Sequence, residues 1–557
     1  MLANLAKFCL QTSEQSILQL RVNRFATKLS KVSVEDYTDD DDDYDFEPKH
    51  EKESEEPPEV VKKSKRPIII QCKRSMFNFH EGDTYPKFQP IPLASRAWQH
   101  RKSNGDYFTI YPLKEGQEEH ELNQSYSFQD LNINEKLLKS LEENNLIHPT
   151  SIQKLGIPKI LDNHNVILTA ETGSGKTYAF LIPILQQVLK WKPMKDRSCN
   201  RPLGLILTPS HELTKQIAKV AKKLAKNLEI NIVTLTGGKT KRIISNPPIT
   251  EVDIVVATIG VMKKLVRMGI YKLDEVKHVV LDEADTLFDE TFTDYTCNLL
   301  RKVQISAERD PNITYPKTAQ ITLNSATIPQ SLSESLYQVA DRESFLMITT
   351  GNEHLVRVPQ KFFRLTGPEK PMSLLKIVKP KVKSKTPIII FCNTTASCDF
   401  ISLFLNQFNI KCITLHGKQR LEHRKGKFME FQQGVCNILT TTDAGARGLD
   451  TCKVKSVINF DFPLVTAEYI HRCGRVGRIG SPRDCRVINF ISRPLEIILA
   501  KKIEFAIRKG KSIPMVDMVH KDKDYEDEFV GANNTKEDFD PDKNESDIEK
   551  MSLDTSN

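Results

Sequence analysis

The chain has 557 residues, 39% of them hydrophobic, eleven cysteines and a formal net charge of +8. No apolar run approaches the ~18–20 residues of a membrane-spanning helix, and the cysteines are scattered with no C-x-x-C pair, which excludes a disulfide framework and points to a reducing compartment. The charge is −11 over residues 35–56, −8 over 521–557 and +4 over 1–34, leaving +23 on residues 57–520, a balance that suits a polyanionic partner such as nucleic acid.

In chain order, residues 1–34 carry Lys7, Arg21, Arg24, Lys28 and Lys31 against one acid, Glu14, with Leu5, Phe8, Leu18, Leu20 and Phe25 near helical spacing. Such a basic, amphipathic, acid-poor leader predicts a mitochondrial transit peptide, with an ordinary basic helix as the alternative; Arg24-Phe25-Ala26 offers a processing point. Residues 35–66 include the aspartates from Asp39 to Asp43 and a Glu/Lys/Pro-rich tract, too polar to build a core. Residues 67–125 are basic with interleaved aromatics, among them Lys73, Arg74, Phe77, Phe79, Trp98, Tyr107 and Phe108. They read as an RNA-contacting extension or a loosely packed arm, so 35–125 as a whole is expected to be largely disordered.

From Tyr126 on, short Val/Ile-rich runs alternate with longer helical patterns. Strands are predicted at 166–169, 204–208, 230–235, 253–257, 278–281 and 320–323. After a polar break near 351–360, others follow at 388–391, 412–415, 437–440, 457–460 and 485–491. This alternation describes βαβ units around parallel sheets. It predicts two α/β domains in tandem, 126–352 and 353–512, with a last helix at 495–508 before an acidic, disordered tail, 513–557.

Three stretches carry chemistry. A strand at 166–169 runs through Ala170-Glu171-Thr172-Gly173-Ser174-Gly175-Lys176-Thr177 into a helical pattern. Glycines there let backbone N–H groups approach phosphates, Lys176 reaches the β/γ-phosphates, and Thr177 can ligand Mg²⁺. The apolar run Val279-Val280-Leu281 ends in Asp282-Glu283-Ala284-Asp285. Carboxylates at the carboxyl edge of a parallel sheet suit a hard cation, so Asp282 is expected to hold Mg²⁺, partly through water, and Glu283 to orient or deprotonate a water. Far along the chain, His471-Arg472-Cys473-Gly474-Arg475-Val476-Gly477-Arg478 spaces Arg475 and Arg478 so that both can face a γ-phosphate.

Together these motifs, in this order and spacing, resemble the DEAD-box ATP-dependent RNA helicases of superfamily 2, the fungal mitochondrial members included, over residues 126–510. The resemblance implies two RecA-like domains, with ATP and Mg²⁺ as cofactors and RNA as partner. Phe128 and Gln153, in Pro149-Thr150-Ser151-Ile152-Gln153, resemble the family's adenine-recognition element, and Asp450 the aspartate that touches the ribose. RNA-side or coupling roles are implied for Pro209, Glu212, Gly237, Gly238, Asp285, Ser325, Thr327, Asn393, Thr394, Arg424, Thr442, Asp443, Arg447, Gly448 and His471. Asp285 is expected to contact the Ser325–Thr327 element and so couple ATP to RNA.

Departures fall mainly on the RNA side: Ser210-His211 where the family has Thr-Arg, Ile259 and Val261 in place of Pro and Arg, and Leu421 in place of Gln, with Arg424 kept. Asn145-Leu146 replaces a Gly-aromatic pair near the adenine. A monomeric helicase of the mitochondrial matrix is expected, acting within a ribonucleoprotein on ribosomal RNA or ribosome precursors. An ATP-gated RNA clamp without productive unwinding is the alternative.

Overall fold

The computed structural model describes residues 66–513, apart from 87–89, 113–125, 171–172, 195–197, 239, 248, 290, 306–314, 328–335, 337–339, 351–357, 420, 447–450, 452, 479–480, 483 and 512. The expected leader, the acidic stretch before residue 66 and the tail beyond 513 lie outside the described residues. The described residues up to Thr84 and from Pro92 onward form one compact unit, while Tyr85, Pro86, Pro90 and Ile91 fall in a second. Among the described residues no helix is long and apolar enough to cross a membrane.

Sixteen strands are described, numbered in chain order. β1 (Ile68–Cys72), β2 (Phe79–His80) and β3 (Tyr107–Ile110) come first. β4 (Asn165–Thr169), β5 (Gly204–Thr208), β6 (Ile232–Leu235), β7 (Ile254–Thr258), β8 (His278–Asp282), β9 (Gln320–Ser325) and β10 (Phe345–Thr349) build the first lobe. β11 (Gln360–Arg364), β12 (Ile388–Phe391), β13 (Ile413–Leu415), β14 (Ile438–Thr441), β15 (Ser456–Asn459) and β16 (Arg486–Ile491) build the second.

The first sheet has the order β10-β4-β9-β8-β5-β7-β6, every pair parallel. Successive side chains point to opposite faces, and both faces are covered. Leu205, Leu207, Val279 and Leu281 join Ile259, Met262 and Leu265 of the helix Ile259–Arg267 in one core cluster. Ile206 and Val280 join Leu185 and Val188 of the helix Lys176–Trp191, and Ile217 and Ala221 of His211–Leu224, in another. Each such Val, Ile or Leu stabilises the fold by about 1.5–3 kcal/mol. Both lobes are α/β domains, as the strand alternation predicts, and RecA-like, as the resemblance implies.

The second sheet holds a correction. Its parallel block runs β13-β14-β12-β15-β16-β11, and β3, β1 and β2 extend it antiparallel to nine strands. Residues 68–84 and 92–110, expected to be largely disordered, are thus an integral edge of the second lobe although they precede the first in sequence. Their aromatics are core residues: Phe108 stacks on Phe362 at 4.6 Å and lies 5.3 Å from Trp98, and Trp98 is fully buried. The helix Pro494–Arg508 backs this packing, its buried Glu504 accepting from the Ala94 and Ser95 amides and the Ser95 hydroxyl.

Candidate functional site

In the first lobe, β4, β9 and β8 are adjacent, with Thr169 opposite Ser325 and Asn324 opposite Asp282. Parallel strands in this register deliver the 170–177 loop, the Ser325–Thr327 segment and the acidic tetrapeptide to one carboxyl edge. Gly173 and Gly175 turn the loop with φ of +86° and +93°, which only glycine adopts at low cost. A Cβ on Gly175 would stand 2.5 Å from the Gln153 amide nitrogen. That closeness reflects two hydrogen bonds: Gln153 Nε2 donates to the Gly175 carbonyl at 2.9 Å and its Oε1 accepts from the Thr150 amide at 3.0 Å. Lys176, first residue of its helix, donates to the Ala170 carbonyl. Glu171 and Thr172 lie outside the described residues.

Asp282 closes β8 and is buried. Burial, then repulsion from Glu283, push its pKa up to about 7, against the hydrogen bond from Asn324 and the charge of Lys176. Glu283 sits at φ +53°, a left-handed conformation costing about 1–3 kcal/mol in a non-glycine residue, so the turn holds it against strain. Glu283 Oε2, Ser174 Oγ and Thr169 Oγ1 are buried without a partner. Two crowded carboxylates and orphaned oxygens beside a glycine-rich loop fit a magnesium-nucleotide, with Asp282 and Thr177 as the residues placed to hold the metal.

Asp285 faces the other way. Its Oδ2 accepts from Thr327 Oγ1 at 2.7 Å and lies 3.0 Å from His471 Nε2, which belongs to the second lobe. Burial opposes its charge, but His471, by charge and hydrogen bond, with Thr327 and Ser325, holds the carboxyl well below the usual carboxylate range. Burial would depress His471, and the Asp285 carboxylate outweighs it and raises the imidazolium pKa above 6.5. Ser325 Oγ accepts from the Thr327 amide and donates to the Thr327 carbonyl, which fixes the turn.

From the second lobe, Arg478 packs on Gly173 so closely that a Cβ there would lie 2.7 Å from its Cγ. Arg475 is 5% exposed, its carbonyl held by Thr451 Oγ1. A further cross-lobe pair joins Glu212 to Arg424 at 3.2 Å. Asn393 and Asp443, expected on the RNA side, converge on a side chain sequence reasoning overlooked: Arg472 grips both Asp443 oxygens (2.7 and 2.6 Å), the Asn393 side-chain oxygen (2.8 Å) and the Asp461 carbonyl (2.7 Å). Its signal was the i, i+3 spacing with Tyr469 and Thr466, which marks the inward face of the helix Thr466–Cys473.

The remaining residues are placed as follows. Thr394 caps the helix Thr395–Gln407, accepting from the Ser397 amide. Thr442 follows β14, Pro209 follows β5, and Gly237 and Gly238 follow β6, all at carboxyl ends of strands. Arg447, Gly448 and Asp450 lie outside the described residues. Phe128 is 3% exposed and packs in the cluster of Leu131, Leu137 and Phe180.

Two family models match the chain: DEAD/DEAH box helicase over residues 150–335 and helicase conserved C-terminal domain over residues 369–480. The mouse (Mus musculus) protein named probable ATP-dependent RNA helicase DDX28 is 36% identical over 464 residues, covering 80% of this chain and 85% of that protein. Its human (Homo sapiens) namesake is 34% identical over 463 residues, with 80% and 85% covered. A solved structure of Mss116p, lacking its NTE and C-tail and bound to ssRNA and AMP-PNP, matches with TM-score 0.58 and 25% identity over 73% of this chain and 82% of that one.

Proposed function

We propose a working cycle for this chain, which belongs to the DEAD-box family of ATP-dependent RNA helicases. The enzyme is an RNA-dependent ATPase and RNA helicase. ATP enters the first lobe, Gln153 reading the adenine edge and residues 170–177 cradling the phosphates. Asp450 would meet the ribose. Lys176 leaves the Ala170 carbonyl for the β/γ-phosphates. Thr177 and Asp282 would hold Mg²⁺, partly through water, and the ion supplies positive charge where the phosphates need it. Glu283 orients the attacking water and takes its proton.

RNA lies across the carboxyl edges of both sheets, by Pro209, Glu212, Gly237 and Gly238 in the first lobe. In the second it passes Asn393, Thr394, Arg424, Thr442, Asp443, Arg447 and Gly448. Phosphate and 2′-OH contacts make such binding sequence-tolerant and selective for RNA. Closure brings Arg475 and Arg478 onto the γ-phosphate, and strain on the bound strand separates a short duplex.

The observation that supports this cycle most is the Asp285 carboxylate, which bonds the Ser325–Thr327 segment and His471 of the other lobe at once. Lys176→Ala is expected to abolish ATP hydrolysis while the protein stays folded; turnover near wild type would overturn the assignment.

The ATP-gated clamp keeps a specific support: the Ser210 hydroxyl, where the family has Thr, is spent capping the helix His211–Leu224 through the Leu213 amide. Duplex unwinding measured beside RNA-stimulated ATPase separates the two readings. The setting we favour is the mitochondrial matrix, on the basic, acid-poor composition of residues 1–34, and ribosome assembly, on the basic body with acidic ends. Import of a reporter carrying residues 1–34, and sequencing of RNA crosslinked to the protein in cells, test both.

A further inference from the structure

We infer that residues 94–104, together with Arg493, form an accessory RNA-backbone surface that prolongs the RNA track beyond the two lobes' own edge elements. The inference rests on the RNA-binding reading above.

β11 and β16 run parallel to β12, β14 and β15, so their carboxyl ends share one edge with Asn393, Thr394, Thr442 and Asp443. The short helical turns Ala94–Gln99 and Arg101–Ser103 are fastened to that edge. Arg364, last residue of β11, donates from Nε to the Trp98 carbonyl at 2.9 Å and from NH1 to the Ile491 and Ser492 carbonyls at 3.2 and 3.0 Å. The Gly105 amide donates to the Arg364 carbonyl at 2.8 Å. One guanidinium therefore ties the N-terminal segment to the loop after β16.

The side chains left facing solvent there are basic or polar: Arg96, Gln99, His100, Arg101, Lys102 and Arg493 are all exposed. Among the described residues none of the cations in this set forms an ion pair. The carboxylates closest to this patch are already engaged: Glu369 by Asn104 Nδ2 and the Thr366 amide, and the buried Glu496 by the Ser492 amide and hydroxyl and the Arg493 amide. Nearby, burial chiefly, and secondarily the charge of Arg96, lower the pKa of Lys501. The Asp106 carboxylate does not offset the exposed cations, being buried between Trp98 Nε1 and Arg74, both at 2.9 Å.

The chemistry that matches is a row of phosphates. Strands in a sheet stand about 4.8 Å apart, so the patch begins about 15 Å from the end of β12, within reach of the same single strand but beyond the nucleotides held by the core. A short RNA filling the core should not touch it, and a longer one should.

The test compares full-length wild type with the double variant Arg101→Glu, Lys102→Glu in the presence of a non-hydrolysable ATP analogue, on single-stranded RNAs of about 10 and about 25 nucleotides. A matched control reverses Lys222 and Lys223, exposed near the far end of the helix His211–Leu224. Expected is affinity for the longer RNA reduced on the order of 10-fold, with the slope of log K against log salt shallower by about 1.4, while the short RNA and the control are unchanged. Equal affinity of the variant and wild type for the longer RNA overturns the inference. Equal loss on both lengths also overturns it, since the core would then be damaged. Failure of wild type to bind the short RNA would instead strike at the RNA-binding reading itself.

Discussion

Asp285 and Glu283 are two residues apart, yet the turn between them gives them opposite surroundings. Glu283, left-handed at φ +53°, keeps an unpartnered oxygen in the nucleotide site, whereas Asp285 is satisfied by Thr327, His471 and the Thr286 amide. Asp285→Ala should therefore leave nucleotide affinity within a few-fold while RNA-stimulated hydrolysis and unwinding fall at least ten-fold; equal loss of binding and unwinding would contradict a coupling role. The His471 contact has a pH signature. Its pKa is raised by the contact, so the stabilisation of the closed form is complete below 6.5 and is lost as pH rises from there through the raised value. RNA affinity in the presence of an ATP analogue should fall across that window, and His471→Gln, which keeps an N–H but cannot titrate, should flatten the profile.

At the scale of elements, the second lobe is closed by chain that comes before the first. β3 gives the edge strand β11 a partner, and the Trp98, Phe108 and Phe362 rings cover one face. Trp98→Ala should cost about 3–5 kcal/mol of stability, read as a drop in the urea midpoint. Glu504→Ala should cost a similar amount, about 3–5 kcal/mol, because Arg508, fully buried and paired with it at 2.8 Å, would lose its counter-charge. Both variants should retain nucleotide binding by the first lobe, whose core shares none of these residues. Deleting residues 66–112 is expected to expose β11 as an unpaired edge and produce aggregation.

For the molecule as a whole, the parallel sheets were legible because βαβ strands are continuous apolar runs: 204–208 and 388–391 coincide with β5 and β12, and most others lie within one or two residues. β11 escaped notice because Gln360–Arg364 is mixed in polarity, and β3 because its pairing with β11 is made by backbone groups that sequence does not display; the apolar run Phe345–Thr349 of β10 was legible as a strand and was overlooked. The nucleotide loop and acidic turn were legible from spacing. The Arg472 hub was not, since its partners Asn393, Asp443 and Asp461 lie up to 79 residues away and meet only through the sheet edge. Neither was the burial of Phe128, which depends on tertiary packing. What the fold adds beyond these parts is a composite site, with phosphate cradle and carboxylates in one lobe and arginines in the other. Steady-state ATP hydrolysis with and without RNA, for wild type and Arg475→Ala, tests it most directly. The account predicts RNA-stimulated turnover in wild type and a loss of about 10³-fold or more in the variant, at unchanged ATP affinity. Wild-type turnover by Arg475→Ala in the presence of RNA would contradict it.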